Sequence, residues 1–396
     1  MPARHRFIFL LILSTSILLL ILYSNHSDLP QSVQDESLNR HQPTLLLSQG
    51  PPTSPALQPT FHPGTPLPAT HNFTITLVLG RTLEDDVSWT SELSTLPNLQ
   101  LAIYTADDPS APLHPPQNKG HEAMIYLTYI IDNYASLPDV TVFMHAHRQA
   151  WHNDELLDYD AIEMVKNLNP HRVQREGYMN LRCHWDPGCP AWIQPNAGPD
   201  EDKPEQDILK TVWSEIFGPR APLPHTLAQP CCAQFAVSGE RIRSVPLEQW
   251  VWYRSWLLKT SLSDYVAGRV WEYIWQFAFS GQSIHCPKMH ICYCDGFGVC
   301  FGGEERFNAW FEQRYSLRKW EKELDFIHEM EETILEAKYR GESGEEITQL
   351  EKPLGGRKEE LERLVDPLRK QLEEWRQDSI RRGRDPRLRA EECGKE

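Results

Sequence analysis

Between residues 73 and 144 the chain alternates short apolar runs with a strongly amphipathic segment, and this alternation limits the fold more than any other feature. Residues 73–79 (FTITLVL), 99–104 (LQLAIY) and 140–144 (VTVFM) are apolar and largely β-branched, which suits buried strands. Residues 121–134 place Ala123, Tyr126/Leu127, Ile130/Ile131 and Tyr134 on one helical face. Residues 89–96 form a further short helix, with Ser88 as its N-cap. Strands and helices joined this way predict an α/β, Rossmann-like domain: a mostly parallel sheet with helices on both faces. In such sheets ligands bind beyond the carboxyl ends of the strands.

Those ends carry chemistry. The first strand runs into Gly80-Arg81-Thr82-Leu83-Glu84-Asp85-Asp86 and the second into Thr105-Ala106-Asp107-Asp108. The third runs into His145-Ala146-His147-Arg148, closely followed by Trp151 and His152. Glu84, Asp85, Asp86, Arg148, Trp151 and His152 are therefore candidate substrate-binding residues, with Trp151 available to stack on a ring. His145 and His147 are candidate metal ligands or proton carriers. Asn118-Lys119-Gly120-His121-Glu122 opens the central helix. There Gly120 permits a tight turn, and the free N–H groups of the first helical turn attract anions. Glu122 in that turn would also favour the helix dipole without any ligand.

The second half offers two further segments. Residues 231–238 (CCAQFAVS) read as a strand, with Gly239-Glu240-Arg241-Ile242 starting a helix. Gly268 begins an aromatic helix (GRVWEYIW) with Glu272 in its first turn. Burial among Trp271, Tyr273 and Trp275 would raise the pKa of Glu272 and make it a general base. An ion pair with Arg269 or Arg241 is the alternative.

Eight of the nine cysteines fall between Cys183 and Cys300, a density that predicts up to four disulfides of unreadable connectivity. A structural zinc site among Cys286, Cys292, Cys294 and Cys300, with His285 or His290, is the weaker alternative. An oxidising compartment agrees with the N-terminus. Residues 1–6 are short and basic, and residues 7–23 (FIFLLILSTSILLLILY) are almost wholly apolar, spanning roughly 26 Å as a helix. No cleavage site follows, so residues 7–23 read as a retained signal anchor of a type II protein of the Golgi or endoplasmic reticulum. Residues 24–70 read as a disordered, Pro-rich stem, residues 71–302 as the luminal domain and residues 303–396 as a charged helical tail. Two glycosylation sequons occur, at Asn25 and Asn72. In the tail Leu361, Leu364, Leu368 and Leu372 recur at helical spacing, for self-association or for packing on the body. The net charge of −16 argues against a nucleic-acid partner.

The chain resembles a fungal and bacterial domain-of-unknown-function family regarded as glycosyltransferase-like. The resemblance covers residues 77–302. It rests on the acidic loop before Trp89, NKGHEAMIYLTYIIDNY from Asn118, VFMHAH from Val142 with WHN from Trp151, CCAQFAVS from Cys231 and WEYIW from Trp271. His121 stands where the family more often has Arg. The helix start and the strand ending in His are also similar to polysaccharide-building transferases of the GT-A, nucleotide-sugar-binding fold. In that fold the corresponding strand usually ends in Asp-x-Asp, where this chain has His145-Ala146-His147. Asp158-Tyr159-Asp160 and Asp200-Glu201-Asp202 match the letters but do not directly follow an apolar strand.

The resemblance implies a glycosyltransferase that moves a sugar from a nucleotide-sugar to a glycan or glycoconjugate, with Mn²⁺ or Mg²⁺ as the metal. The donor base and ribose would lie against residues 80–86, the diphosphate near Gly120 and His121, and a metal or the leaving phosphate near His145 and His147. Glu272 would be the base. Two other readings compete: a non-catalytic luminal protein binding glycans or assembling with transferases, and a metal-dependent hydrolase built on the His-x-His pair.

Overall fold

A computed structural model of the chain describes residues 51–52, 59–198, 200, 201, 203–341, 344 and 356–394. The expected anchor, the Asn25 sequon and most of the stem lie outside the described residues. Among the described residues no helix is long and apolar enough to cross a membrane.

The α/β class is as expected, but the sheet is mixed. Five strands, β1 (Ile75–Arg81), β2 (Leu99–Thr105), β3 (Val140–His145), β4 (Tyr178–Asn180) and β5 (Phe235–Ser238), lie in the order β2-β1-β3-β5-β4. β1 pairs in parallel with β2 and β3, whereas β5 is antiparallel to both β3 and β4. β1, β2, β3 and β4 therefore end on one rim, and β5 begins there. The expected strand at 231–238 is reduced to Phe235–Ser238, because the four residues before it form a turn on that rim.

The side-chain period of two divides the core cleanly. Val78, Phe143, Tyr178, Phe235 and Val237 face one layer of helices: α1 (Glu122–Asn133), α4 (Glu205–Phe217), α6 (Leu247–Lys259) and α7 (Asp264–Ser280). Leu77, Leu79, Val142, Met144, Met179 and Ala236 face the other. That layer holds α2 (Ala161–Asn167), α3 (Pro170–Glu176) and α8 (Met289–Phe297), while α5 (Gly239–Arg243) follows β5 directly. Two sequence expectations need correction. Residues 88–93 form a 3-10 turn in which Ser88 is not the cap; its N–H is instead held by Asp86 Oδ1 at 2.8 Å. The aromatic helix starts at Asp264, capped by Ser263, so Glu272 sits in its middle rather than its first turn.

The tail continues the second core. Phe307, Trp310, Phe311 and Leu317 of α9 (Glu304–Arg340), with Val365 and Leu372 of α10 (Arg357–Arg384), join the layer containing Tyr293 and Phe297. Trp310 Nε1 donates to the Leu372 carbonyl at 2.9 Å, and Arg376 reaches Asp158 at 2.6 Å. Of the leucine stripe, Leu361 and Leu372 are buried within the chain. A short α11 (Pro386–Cys393) ends the described chain. Residues 60–65, expected to be disordered stem, lie along the body: Thr60 N–H donates to the Ser244 carbonyl and Gly64 N–H to the Arg175 carbonyl. Asn72 of the second sequon is exposed.

Four disulfides form, as expected in number: Cys183–Cys292, Cys189–Cys286, Cys231–Cys232 and Cys294–Cys300. The zinc alternative fails because all four of its cysteines are in these bridges. The first two join the loop after β4 to α8 and its approach. Closing a loop of that length removes about 4–5 kcal/mol of unfolded-chain entropy in the chain-entropy picture.

If the tail is part of the core, Phe307→Ala will cost about 3–5 kcal/mol in chemical denaturation. Tyr339→Ala, on the exposed end of α9, will stay within about 0.5 kcal/mol of the parent.

Candidate functional site

The rim gathers what the strand directions deliver: the exits of β1, β3 and β4, the start of α1 and the turn before β5. Trp89 in the 3-10 turn after β1 donates its indole N–H to the Ala146 carbonyl at 2.7 Å, tying the β1 and β3 exits together.

At its centre lies the Cys231–Cys232 turn. Cys232 and Ala233 have φ of 87° and 48°, positive values that non-glycine residues rarely adopt. Such strain costs on the order of 1–3 kcal/mol per residue and persists only where the surroundings impose it. Here they do. Cys232 N–H donates to Glu272 Oε1 at 2.9 Å, and His145 Nε2 donates to the Cys232 carbonyl at 2.7 Å. Gln234 then spans the rim: its Oε1 accepts the His145 N–H at 3.0 Å and its Nε2 donates to Asn153 Oδ1 at 2.9 Å.

This network fixes the protonation of its members. Because a carbonyl only accepts, His145 carries its proton on Nε2 and leaves Nδ1 with a lone pair. Burial lowers the His145 pKa despite the Cys232 carbonyl and nearby Glu272, so the ring is neutral. His152 lies beside it, ring centroids 4.6 Å apart. Burial, with His145, His147 and Arg182 nearby, pushes His152 down to about 3. Burial raises Glu272, with Glu122 adding to it and Arg269 opposing.

Glu272 Oε2 accepts from Arg269 Nη1 at 2.9 Å, so the expected ion pair with Arg269 forms and Arg241 takes no part. Arg241 instead reaches the His62 carbonyl. Arg269 also faces Glu205 at 3.4 Å and the Tyr273 hydroxyl. The half-buried Glu122 at the start of α1 completes the group. Burial raises it to about 6, with His121 and Arg269 opposing and Asp264 adding. Glu122, Glu272, Arg269 and His145 thus act on one another across the rim.

The expected anion seat is already filled. Gly120 N–H donates to Asp264 Oδ1 at 2.5 Å, and His121 Nδ1 lies 3.7 Å from Asp264 Oδ2. A carboxylate of the chain itself occupies the place expected for a diphosphate. Gly120 is required there: a Cβ would come within 2.6 Å of Leu257 Cδ1, and φ is 75°. Asn118 is exposed, and Lys119 turns to the α6 end, where its ammonium donates to the Thr260 carbonyl.

The acidic loop folds largely on itself. Asp85 Oδ2 accepts from Thr82 N–H at 2.7 Å and Thr82 Oγ1 at 2.9 Å, while its Oδ1 lies 3.3 Å from His147 Nε2. Burial raises the Asp85 carboxyl, but Thr82, His147 and Arg81 outweigh it and hold the group below its usual range. Asp86 is lowered by the Ser88 N–H, and Glu84 is exposed. Arg148 is committed to Glu92 at 2.7 Å and Asp160 at 3.0 Å, so it is a brace rather than a free ligand for substrate. Trp151 stands exposed beside His152.

The fit to a divalent ion is poor. Among the described residues, the one group of three metal-capable side chains within 4.8 Å of one another is Cys294, Cys300 and Glu392. Two of those sulfurs are in a disulfide. Among the described residues His145 and His147 belong to no such group of three, so no step below passes through a resident metal.

Sequence reasoning missed several members. Asp264 was hidden because its partner Gly120 lies 144 residues away, whereas Arg269 was legible as a partner of Glu272 three residues on. The Cys231–Cys232 pair was visible as adjacent cysteines, though not its bond. Asp154, fully buried, is raised to about 6 by that burial, against Arg182, the Cys183 N–H and the Tyr293 hydroxyl. It accepts from Cys183 N–H at 3.0 Å and Tyr293 at 2.9 Å, fastening the loop after β3 to α8.

The structure therefore defines an α/β domain whose strand-end rim holds two pKa-raised carboxylates, a guanidinium and neutral imidazoles. A family model described as a protein of unknown function, DUF3431, matches residues 77–295, more than half of the chain, and the chain belongs to that family. No curated protein and no solved structure matches it.

Two outcomes test the network. Glu272→Leu removes the acceptor of both the Cys232 N–H and Arg269, and will cost about 2–4 kcal/mol in urea unfolding. Glu272→Gln, which keeps an acceptor, will cost roughly half as much. Glu122, with a folded pKa of about 6 against an ordinary 4.5, holds its proton more tightly in the folded state. Its contribution to stability is full below about pH 4.5 and is lost as pH rises through about 6. Glu122→Gln cannot ionise, so it will gain on the parent by on the order of 1 kcal/mol over that window. A difference that does not change with pH would contradict the assignment.

Proposed function

We propose that this protein is a glycosyltransferase of GT-A-like character, transferring a sugar from a nucleotide-sugar to a hydroxyl of a glycan or glycoconjugate. The observation that carries this reading is the carboxylate pair, Glu122 and Glu272, raised by burial around Arg269 and His145 at the ends of parallel strands. A carboxylate with a pKa near 6 can take a proton from a hydroxyl and release it afterwards. Glu272 has a bond to each oxygen, so the general-base role expected of it passes in this reading to Glu122. Glu272 keeps Glu122 basic and holds the Cys232 turn.

In the transfer, the acceptor oxygen forms a bond to the anomeric carbon and gives its proton to Glu122. The bond from that carbon to the phosphate oxygen breaks, and the diphosphate leaves with the electron pair. The departing charge needs donors. Asp264 fills the Gly120 turn, so the exposed His147, oriented by Asp85, is the group this reading assigns to the phosphate. A metal carried in with the diphosphate would belong to the substrate.

The four disulfides suit an oxidising compartment. Together with the apolar run at 7–23 they support a type II membrane protein of the Golgi or endoplasmic reticulum, with the body in the lumen. A second reading, glycan binding without catalysis, is favoured by the self-filled anion seat. The hydrolase reading has the least support, since among the described residues His145 and His147 belong to no group of three close donors.

Calorimetry of the full-length protein against a panel of nucleotide-sugars, with Mn²⁺ or Mg²⁺, tests the proposal. At least one donor will bind, and Glu122→Gln will lower its turnover by about 10²–10⁴-fold while leaving binding within about threefold. If no donor binds, the transfer reading fails and the binding reading takes its place.

A further inference from the structure

A concavity opens beside the rim, beyond the β3 and β4 exits. It measures about 600 Å³, within the usual range of about 300–1,000 Å³ for small-ligand sites. Its floor and one wall come from the loops at 149–159 and 182–187. The other wall is α9, through Tyr315 and Arg318. Rings lead into it from the rim: His145 to His152 at 4.6 Å, then His152 to Trp151 at 5.9 Å.

Two features decide what it can hold. Trp151 and Tyr315 are 66% and 46% exposed, and both line this one cleft. Large aromatic faces left open to water in a concave site are stacking surfaces. The charged groups, in contrast, already have partners. Arg182 donates to the main-chain carbonyls of Trp151 at 3.1 Å and Asp186 at 2.9 Å, and lies over the Trp151 ring at 5.8 Å. Arg318 is held by Glu155 Oε2 at 2.5 Å and by the Tyr159 hydroxyl. Asp154, Glu155 and Asp186 line the same cleft, and Glu155 also pairs with Arg314 at 2.5 Å. His184, paired with the Tyr315 hydroxyl at 2.8 Å, is lowered by burial and stays neutral. Among the described residues lining the cleft, neither guanidinium is without a partner, and carboxyl groups outnumber them.

Open aromatic faces ringed by neutral or already paired polar groups suit a ring with an apolar C–H face and an edge of hydroxyls. We propose that the cleft between Trp151 and Tyr315 binds a neutral glycan, and that it is the acceptor subsite. The second half of this proposal rests on the transfer reading; the ligand class does not. Residues 77–295 carry the family match, so the α9 wall is supplied from outside it.

The full-length protein, kept in a zwitterionic rather than a sugar-based detergent, would be applied to an array printed with neutral and acidic oligosaccharides. The strongest neutral oligosaccharide would then be titrated calorimetrically. Trp151→Ala and Tyr315→Ala are each expected to weaken it at least tenfold with an unchanged unfolding midpoint, while Tyr339→Ala leaves it alone. Retention of no neutral oligosaccharide, preference for acidic ones, or unchanged affinity in both variants would each overturn the proposal. Titrating nucleotide-sugars into the same proteins separates the two readings. Neutral-glycan binding at the cleft without donor binding sinks the transfer reading alone. Donor binding with no glycan at the cleft sinks this inference alone.

Discussion

The rim depends on one short stretch of main chain, the Cys232 residue, whose N–H is taken by Glu272 and whose carbonyl is taken by His145. Each bond draws a different element to the same place: α7 through the carboxylate and β3 through the imidazole. Remove either partner and a buried polar group loses its match, which costs more than the bond contributes when made. The adjacent Gln234 extends the same logic to the loop after β3. Burial beneath the rim lowers the His145 pKa and raises that of Glu272, and it prevails over the two bonds to Cys232, which pull the other way.

The antiparallel direction of β5 is what makes the arrangement available. In a wholly parallel sheet the segment before β5 would lie at the far edge, and Cys231–Gln234 would never meet His145. Running β5 backwards places its entrance on the rim beside the exits of its neighbours. Phe143 and Phe235 then pair across the strands and pack under Tyr126 and Trp275, so the apolar layer beneath the rim is aromatic.

Much of this was legible in the sequence, and the remainder was hidden for physical reasons. Periodicity exposed β1, β2, β3 and α1, because each buries a continuous apolar stripe that the residue pattern records directly. It could not reveal the direction of β5: four residues of FAVS look the same read either way. His145 and Glu272 were both picked out, yet the bond that unites them runs through a main-chain group, which leaves no trace in residue identity. The Gly120 turn carried the right signal for an anion, and the anion proved to be Asp264, 144 residues away. In the tail the leucine spacing was clear, but the aromatics Phe307, Trp310 and Phe311 were the better sign that α9 belongs to the core.

The docking of α9 has an evolutionary and practical reach. A protein composed only of the family-matched residues would carry the rim with its imidazoles and carboxylates, but with one side open to solvent. Adding a helix at the end of the chain changes which molecules can lie beside that rim without altering a residue of the rim itself. On the reading proposed above, what lies beside the rim is then set by an element outside the family-matched residues, while the rim itself is built within them.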